Sequence, residues 1–335
     1  METQTYIECK KNSHGSVLYV YSQSPRSEED PQLLEEIILP ESSEDVYKVV
    51  NNDTFIVASF VNHGTQIVPG TGGVMVFKKR NDGKFHFIQT IKLDSEKIVI
   101  TDENQLNFGI DLELTDENLF ITCTPTIENG DKHSYIGVYE YGEFFWELVQ
   151  EFYGADADNA SFKLDEFAYD QLTGKSIYGG INSLAATTTD FVFCSNITET
   201  EERPQNQKGF YSCIKLNGTW LLDVENPILH PQCKDDVVGG TVVDNSTKII
   251  GKPCMFEEWL SVSSYKCIKN SELENKLPNE DGDAISFIPC VLIYKKDDDG
   301  MFTFFQYLEY EEKCRLSVIS EYENITVQMR GDHLV

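Results

Sequence analysis

The amino-acid sequence predicts an all-β fold, a β-propeller built from four-stranded antiparallel blades. Residues 107–153 hold four short runs rich in β-branched and aromatic residues, separated by turn residues, which is the content of one such blade. The same order of runs recurs along the chain. Asp82-Gly83, Asn217-Gly218 and Asp299-Gly300 sit between alternating runs, where such pairs are among the strongest short hairpin signals.

In the guiding unit, run A is 108–114, B is 119–124, C is 136–141 and D is 146–152. Period-2 patterning is clear in C and D, through Val138, Tyr139 and Tyr141, then Trp146, Leu148 and Phe152. Upstream, 6–9, 17–21 and 33–39 read as B, C and D, with a long acidic C–D connection. The next unit takes 46–50, 55–60, 74–77 and 85–93. After the guiding unit, 178–184, 191–195, 210–216 and 220–229 read as A to D. The following set is 237–243, 248–251, 291–294 and 302–310. Finally, 316–320 and 325–329 read as a last A and B, and the terminal A run would complete the first blade and close the ring. One B-like run is then left over. The hairpins support five blades, with six or seven as alternatives, in a single domain over 1–335. Two insertions interrupt the spacing, at about 155–175 and 254–284, the first read as holding a short helix around 165–172.

Composition narrows the function. A formal net charge of −29 and a pI near 4.4 repel phosphate backbones, so nucleic acid is not an expected partner. Basic proteins or bound cations are. The first residues carry no apolar core of signal-peptide length, and no apolar run reaches the roughly 18 residues of a membrane span. Nine cysteines form no C-x-x-C pair. Cys9, Cys123 and Cys194 recur near the ends of B-like runs, which fits a small, buried, reduced residue at one repeated position. Six N-x-S/T sequons, among them those at Asn159 and Asn196, point the other way and read as chance in an Asn-rich chain. The expected setting is intracellular, in the cytoplasm or within a large assembly, rather than secreted or at a surface.

Two elements carry a family resemblance. One is Phe108-Gly109-Ile110-Asp111-Leu112-Glu113-Leu114 followed by LFITC; the other is the C–D hairpin, as in GGVMVFKKRNDGKFHFIQTIKL and VLIYKKDDDGMFTFFQYLEY. These resemble FG-GAP repeats, the units of the propeller of integrin α-chains and related bacterial proteins. Gln89 and Gln306 match the family's Gln before a Leu, and Gln150 reads as offset. The resemblance covers most of the chain and implies a propeller. The Gly-Ala-Pro of the family is absent, its places reading Ala58-Ser59, Cys123-Thr124 and Cys194-Ser195. The family's calcium loops have weak counterparts around Asp156 and Asp158, and around Asp281 and Asp283. Neither fits the pattern, because calcium needs about six to eight oxygens from a tightly turned loop. Bound calcium is the one cofactor these loops could take; otherwise none is expected.

Catalytic candidates are few. Some five-bladed propellers are glycoside hydrolases, which need two facing carboxylates. Asp111 on an A run and Asp236 just before another are the candidates, against the background of 56 acidic residues. The histidines share no metal-ligand spacing, and no nucleophile elbow, Walker loop or zinc-protease helix motif occurs. Arg330-Gly331-Asp332 is an RGD triplet that an integrin could read, although short motifs arise by chance. The leading expectation is a noncatalytic propeller, a protein–protein interaction scaffold or structural component of a larger assembly, rather than an enzyme. Its expected contacts lie in the insertions, at Phe162, Phe167, Tyr169, Phe256 and Trp259. The alternative is a carbohydrate-active propeller, lectin or glycoside hydrolase, with Trp146, Trp220 and Trp259 as stacking platforms.

Overall fold

The computed structural model describes residues 4–12, 15–23, 31–39, 46–60, 72–93, 106–125, 135–153, 169–170, 175–176, 184–197, 207–229, 237–238, 241–242, 253–269, 285–309, 329–330 and 333–334. All regular structure among them is β. No helix among the described residues is long and apolar enough to cross a membrane. The chain divides into two compact units, Met1–Ser176 and Ile177–Val335.

In the first unit, blade 1 comprises β1 (Gln4–Asn12), β2 (Gly15–Gln23) and β3 (Gln32–Ile38). Blade 2 comprises β4 (Val46–Asn51), β5 (Phe55–Phe60), β6 (Gly73–Lys79) and β7 (Phe85–Ile91). Blade 3 comprises β8 (Leu106–Leu114), β9 (Asn118–Pro125), β10 (Tyr135–Tyr141) and β11 (Trp146–Tyr153). Neighbours in sequence are neighbours in each sheet, and every ladder is antiparallel. This up-and-down blade is the unit of a β-propeller, the fold class the sequence predicts. β12 (Tyr169–Asp170) pairs with β13 (Lys175–Ser176). A helix around 165–172 is therefore not the conformation of Tyr169 and Asp170.

The packing explains why β5 is apolar at almost every position. Successive side chains of a strand point to opposite faces. Phe55 and Val57 face blade 3, in a core with Val74, Val76, Phe108, Leu112, Leu119, Ile121 and Trp146. Ile56 and Ala58 face blade 1, in a core with Leu18, Val20, Ile37, Leu39, Met75 and Phe77. A strand covered on both faces loses the alternation of a half-exposed one.

Gly109 marks where consecutive blades approach. Its φ is +89°, and a Cβ there would lie 2.7 Å from Ser59 Cβ and 3.0 Å from Val74 Cγ2, both in blade 2. The β8–β9 ladder shifts register between Phe108 and Leu112 around this glycine. Phe108 beside it is fully buried.

In the second unit, blade 4 comprises β14 (Leu184–Ala186), β15 (Asp190–Ile197), β16 (Gln207–Leu216) and β17 (Thr219–Leu229). β18 (Val237–Val238) pairs with β19 (Thr241–Val242). Blade 5 comprises β20 (Pro253–Phe256), β21 (Trp259–Lys269), β22 (Ile285–Lys296) and β23 (Phe302–Glu309). β24 (Met329–Arg330) and β25 (His333–Leu334) form a last short ladder. Ala185, Val192, Phe210 and Ile228 of blade 4 share a core with Leu260, Val262, Leu292 and Tyr294 of blade 5.

Blade 5 corrects the sequence reading, which put its first two runs at 237–243 and 248–251 and took 254–284 as an insertion. Its two leading strands are β20 and β21, inside that span. The turn hid them. β20 and β21 join through Glu257-Glu258, and Glu257 has φ of 50°, a conformation that hairpins usually fill with Gly, Asn or Asp. Residues 248–251 and 270–284 lie outside the described residues. So do 316–328, most of the two runs expected to close the ring; Met329 belongs to β24. Among the described residues blade 1 has three strands.

Candidate functional site

The polar groups of the leading strands are tied into the frame. Asp111, on β8, is 4% exposed and forms an ion pair with Lys48 of β4 in the neighbouring blade. Its Oδ1 also accepts the Leu112 amide at 3.0 Å, and its own amide donates to Thr122 Oγ1 at 2.9 Å. Blades 4 and 5 are also joined by an ion pair, with Lys296 Nζ at the end of the third strand β22 2.5 Å from Asp190 Oδ1 at the start of β15. The A–B turns are also knitted together. Asn52 Oδ1 accepts the amides of Thr54 and Phe55, and Asn52 Nδ2 donates to the Thr115 carbonyl in the next blade at 3.2 Å. Thr115 and Thr187 close their own turns through their hydroxyls.

The outer strands follow a second rule. In four of the five blades the C–D ladder shifts register once at the same place, at Val20/Tyr21, Val76/Phe77, Val138/Tyr139 and Ile293/Tyr294. The outer-strand residue just past the shift is Glu35, Gln89, Gln150 or Gln306. Gln150, read as offset, is thus in register with Gln89 and Gln306. The residues around it, Val149 and Glu151-Phe152, lack the family string, and that displaced the sequence match.

Two of these residues close the edge of the next blade. The Trp146 amide donates to Gln89 Oε1 at 2.9 Å, and Gln89 Nε2 donates to the Trp146 carbonyl at 3.0 Å. The Phe85 amide donates to Glu35 Oε2 at 3.0 Å. Trp146 and Phe85 each open an outer strand opposite a non-bonded partner, because the adjoining pairs Gly142/Phe145 and Arg80/Lys84 carry the ladder bonds. Their backbone groups therefore point away from their own sheet. The Gln89 side-chain amide occupies that edge as one peptide unit of an added strand would.

Large apolar groups remain exposed on the outer strands. They include Leu33, Leu34 and Ile38 on β3, Phe87 on β7, Leu148 and Val149 on β11, and Phe304, Phe305 and Leu308 on β23. Phe144 and Phe145 stand at the tip of the β10–β11 turn, 63% and 51% exposed.

Each site residue expected from the sequence can be placed or set aside. Asp111 is buried and ion-paired, so it does not present a carboxylate to a channel; Asp236 lies outside the described residues. Phe162, Phe167, Asp156, Asp158, Asp281, Asp283, Gly331 and Asp332 also lie outside them. Tyr169 is in β12 and Arg330 in β24. Phe256 and Trp259 face each other across the β20–β21 turn, half-buried. Trp259 meets the Phe305 ring at 5.3 Å, with Lys295 Nζ 5.0 Å above it. Trp146 and Trp220 are 2% and 1% exposed, so neither is a stacking platform for a sugar. Among the described residues no three His, Cys, Asp or Glu side chains gather as a metal site.

The cysteines divide. Cys123 and Cys213 are fully buried, and burial pushes the Cys123 thiol up to about 12 and the Cys213 thiol well above its ordinary value. Cys9 is exposed, against expectation. Burial also raises the Tyr139 phenol to about 12.

No known family profile matches this chain, and no curated protein does. Among solved structures, the chain is similar to a neuraminidase-like protein of subtype N11 from a flat-faced bat isolate, at 10% identity and a TM-score of 0.38, over 90% of this chain and 68% of that one. It is also similar to the β-propeller domain of the Trilobed protease from Pyrococcus furiosus, at 10% identity and a TM-score of 0.37, over 92% and 94%. At such distance neither similarity bears on activity.

Proposed function

We propose that this protein is a noncatalytic β-propeller of FG-GAP-like repeats, a single domain that serves as a protein–protein interaction scaffold or structural component of an intracellular assembly. The observation that carries the reading is the division of labour between strands. Ion pairs join neighbouring blades away from the outer strands, Lys48 of β4 with Asp111 of β8, and Lys296 of the third strand β22 with Asp190 of β15. The outer strands instead present large apolar groups to solvent. Exposed apolar surface of this kind marks contact with another macromolecule. The repeat assignment draws support from Phe108-Gly109, whose glycine meets the preceding blade, and from Gln89, whose relatives Gln150 and Gln306 share its register. Buried thiols at Cys123 and Cys213 accord with a reducing compartment. The segment 155–175, with Phe162, Phe167 and Tyr169, and the Phe256–Trp259 turn are further contact points in this reading.

The test is to purify the tagged full chain from its native source in moderate salt and to assay the same material on a panel of glycosides. A discrete partner that co-elutes, with no glycoside cleaved, is expected. A chain that elutes alone, or that hydrolyses a glycoside, contradicts the proposal.

A further inference from the structure

The β10–β11 hairpin of blade 3 differs from the other outer hairpins in two ways at once. Turn tips are usually polar or glycine-rich, yet this one carries Phe144 and Phe145, more than half exposed and without a ring contact among the described residues. In blade 5 the positions in register with them are Gly300 and Met301, and the aromatics further along that strand have ring partners, Phe305 with Trp259 and Phe304 with Tyr294 and Tyr307. Leu148 and Val149 extend the apolar surface along β11, at 43% and 49% exposure.

Charge is the second difference. Residues 140–151 include Glu140, Glu143, Glu147 and Glu151 and no Lys or Arg. Glu140 accepts a hydrogen bond from Asn118 Nδ2, and Glu151 one from Tyr135 Oη. Glu143 and Glu147 are exposed beside the phenylalanines. The hairpin already holds one cation by an aromatic ring, since Lys78 Nζ lies 4.2 Å from the Tyr141 centroid.

The backbone supplies the third component. β11 is the edge of its sheet. Gln89 occupies that edge at Trp146 and no further. Two residues on, Leu148 repeats the outward orientation opposite Tyr139, and no bond closes the edge there among the described residues. An open edge flanked by side-chain contacts is the receptor for an added strand.

We propose that the outer edge of β11, with Phe144 and Phe145 at its tip, docks an extended basic segment of a partner protein, in which Lys or Arg alternates with apolar residues. The added strand bonds to the β11 backbone at Leu148, its apolar side chains cover Phe144, Phe145, Leu148 and Val149, and its cations meet Glu143 and Glu147. This deepens the scaffold reading and rests on it.

The experiment titrates the full chain with an acetylated eight-residue peptide of alternating Lys and Val, with a Glu-Val peptide of the same length beside it. Hydrogen exchange is followed across β11. Binding of the Lys-Val peptide alone is expected, with slowed exchange at Leu148 and Val149 and affinity falling as salt rises. A Phe144→Ser/Phe145→Ser variant keeps every charge and should bind at least tenfold more weakly, with its thermal unfolding unchanged. Glu143→Gln/Glu147→Gln should weaken binding and flatten the salt dependence. Equal binding by the Ser variant would mean attraction to a −29 chain at large and would overturn the proposal, as would protection elsewhere than β11. Retention of the native partner separates the two readings. A Ser variant that keeps the native partner removes this surface and leaves the scaffold standing, whereas a wild-type chain with no native partner removes the scaffold.

Discussion

The Gln89 clamp gives a prediction that can be worked from distances. Gln89→Met keeps the length and most of the volume of the side chain and removes both hydrogen bonds to Trp146, at 2.9 and 3.0 Å. Each such bond contributes about 1 kcal/mol net, and the Trp146 amide and carbonyl lose their partner at a part-buried edge, so the loss is about 2 kcal/mol. Gln89→Glu keeps an acceptor for the Trp146 amide and loses the donor to its carbonyl, so about half that loss is expected. The reverse change can be made in blade 1, where Glu35 accepts the Phe85 amide with one oxygen. Glu35→Gln adds a donor for the Phe85 carbonyl and should stabilise by about 0.5–1 kcal/mol. Urea unfolding of the full chain supplies the free energies, and exchange of the Trp146 amide localises them. Wild-type stability in Gln89→Met, or unchanged exchange at Trp146, refutes the clamp.

Other outcomes follow from the same structure. Gly109→Ala should destabilise by about 2 kcal/mol or more, because a Cβ would stand 2.7 Å from Ser59 Cβ at a positive φ; calorimetry reads it. Lys48→Met alone strands the buried Asp111 carboxylate and should cost about 3 kcal/mol, while Lys48→Met with Asp111→Leu should recover most of it, as a double-mutant cycle would show. Glu257→Gly relieves a left-handed glutamate and should raise stability by about 1 kcal/mol, read as a shift in the urea midpoint. Cys123 and Cys213 keep their protons in the folded state while the unfolded thiols lose theirs near about pH 8.5, so the unfolded chain binds fewer protons above that pH. Their contribution is full below about pH 8.5 and should fall steadily toward pH 12, seen as a drop in unfolding temperature that Cys123→Ala lessens.

Much of the fold was legible, and particular residues show why. Runs 108–114, 119–124, 136–141 and 146–152 became β8 to β11 almost unchanged, because β-branched and aromatic runs between Asx- or Thr-initiated turns have few other solutions. Asn217-Gly218, with φ of 52° and 81°, closed the β16–β17 turn as the pair predicts. The β20–β21 hairpin was read as part of an insertion and not as the start of a blade, because Glu257 bends the chain where sequence rules look for Gly or Asn. The site was less legible. Asp111 looks like any acidic residue on a strand until Lys48 is seen beside it, 63 positions away in the chain. Gln150 was displaced by its neighbours, since register is a property of the ladder and not of the string. Phe144 and Phe145 lay in plain view in a turn, but their exposure is a matter of packing, which sequence alone does not supply.

The most direct test compares native-partner retention with thermal unfolding in two variants of the full chain. The account predicts that Lys48→Met lowers the unfolding temperature and still retains the partner in the folded protein. It predicts that Phe144→Ser/Phe145→Ser leaves the unfolding temperature in place and releases the partner. The reverse pattern, with the partner lost on changing Lys48 and kept on changing the two phenylalanines, would contradict the claim that the leading strands hold the frame and the outer strands do the binding.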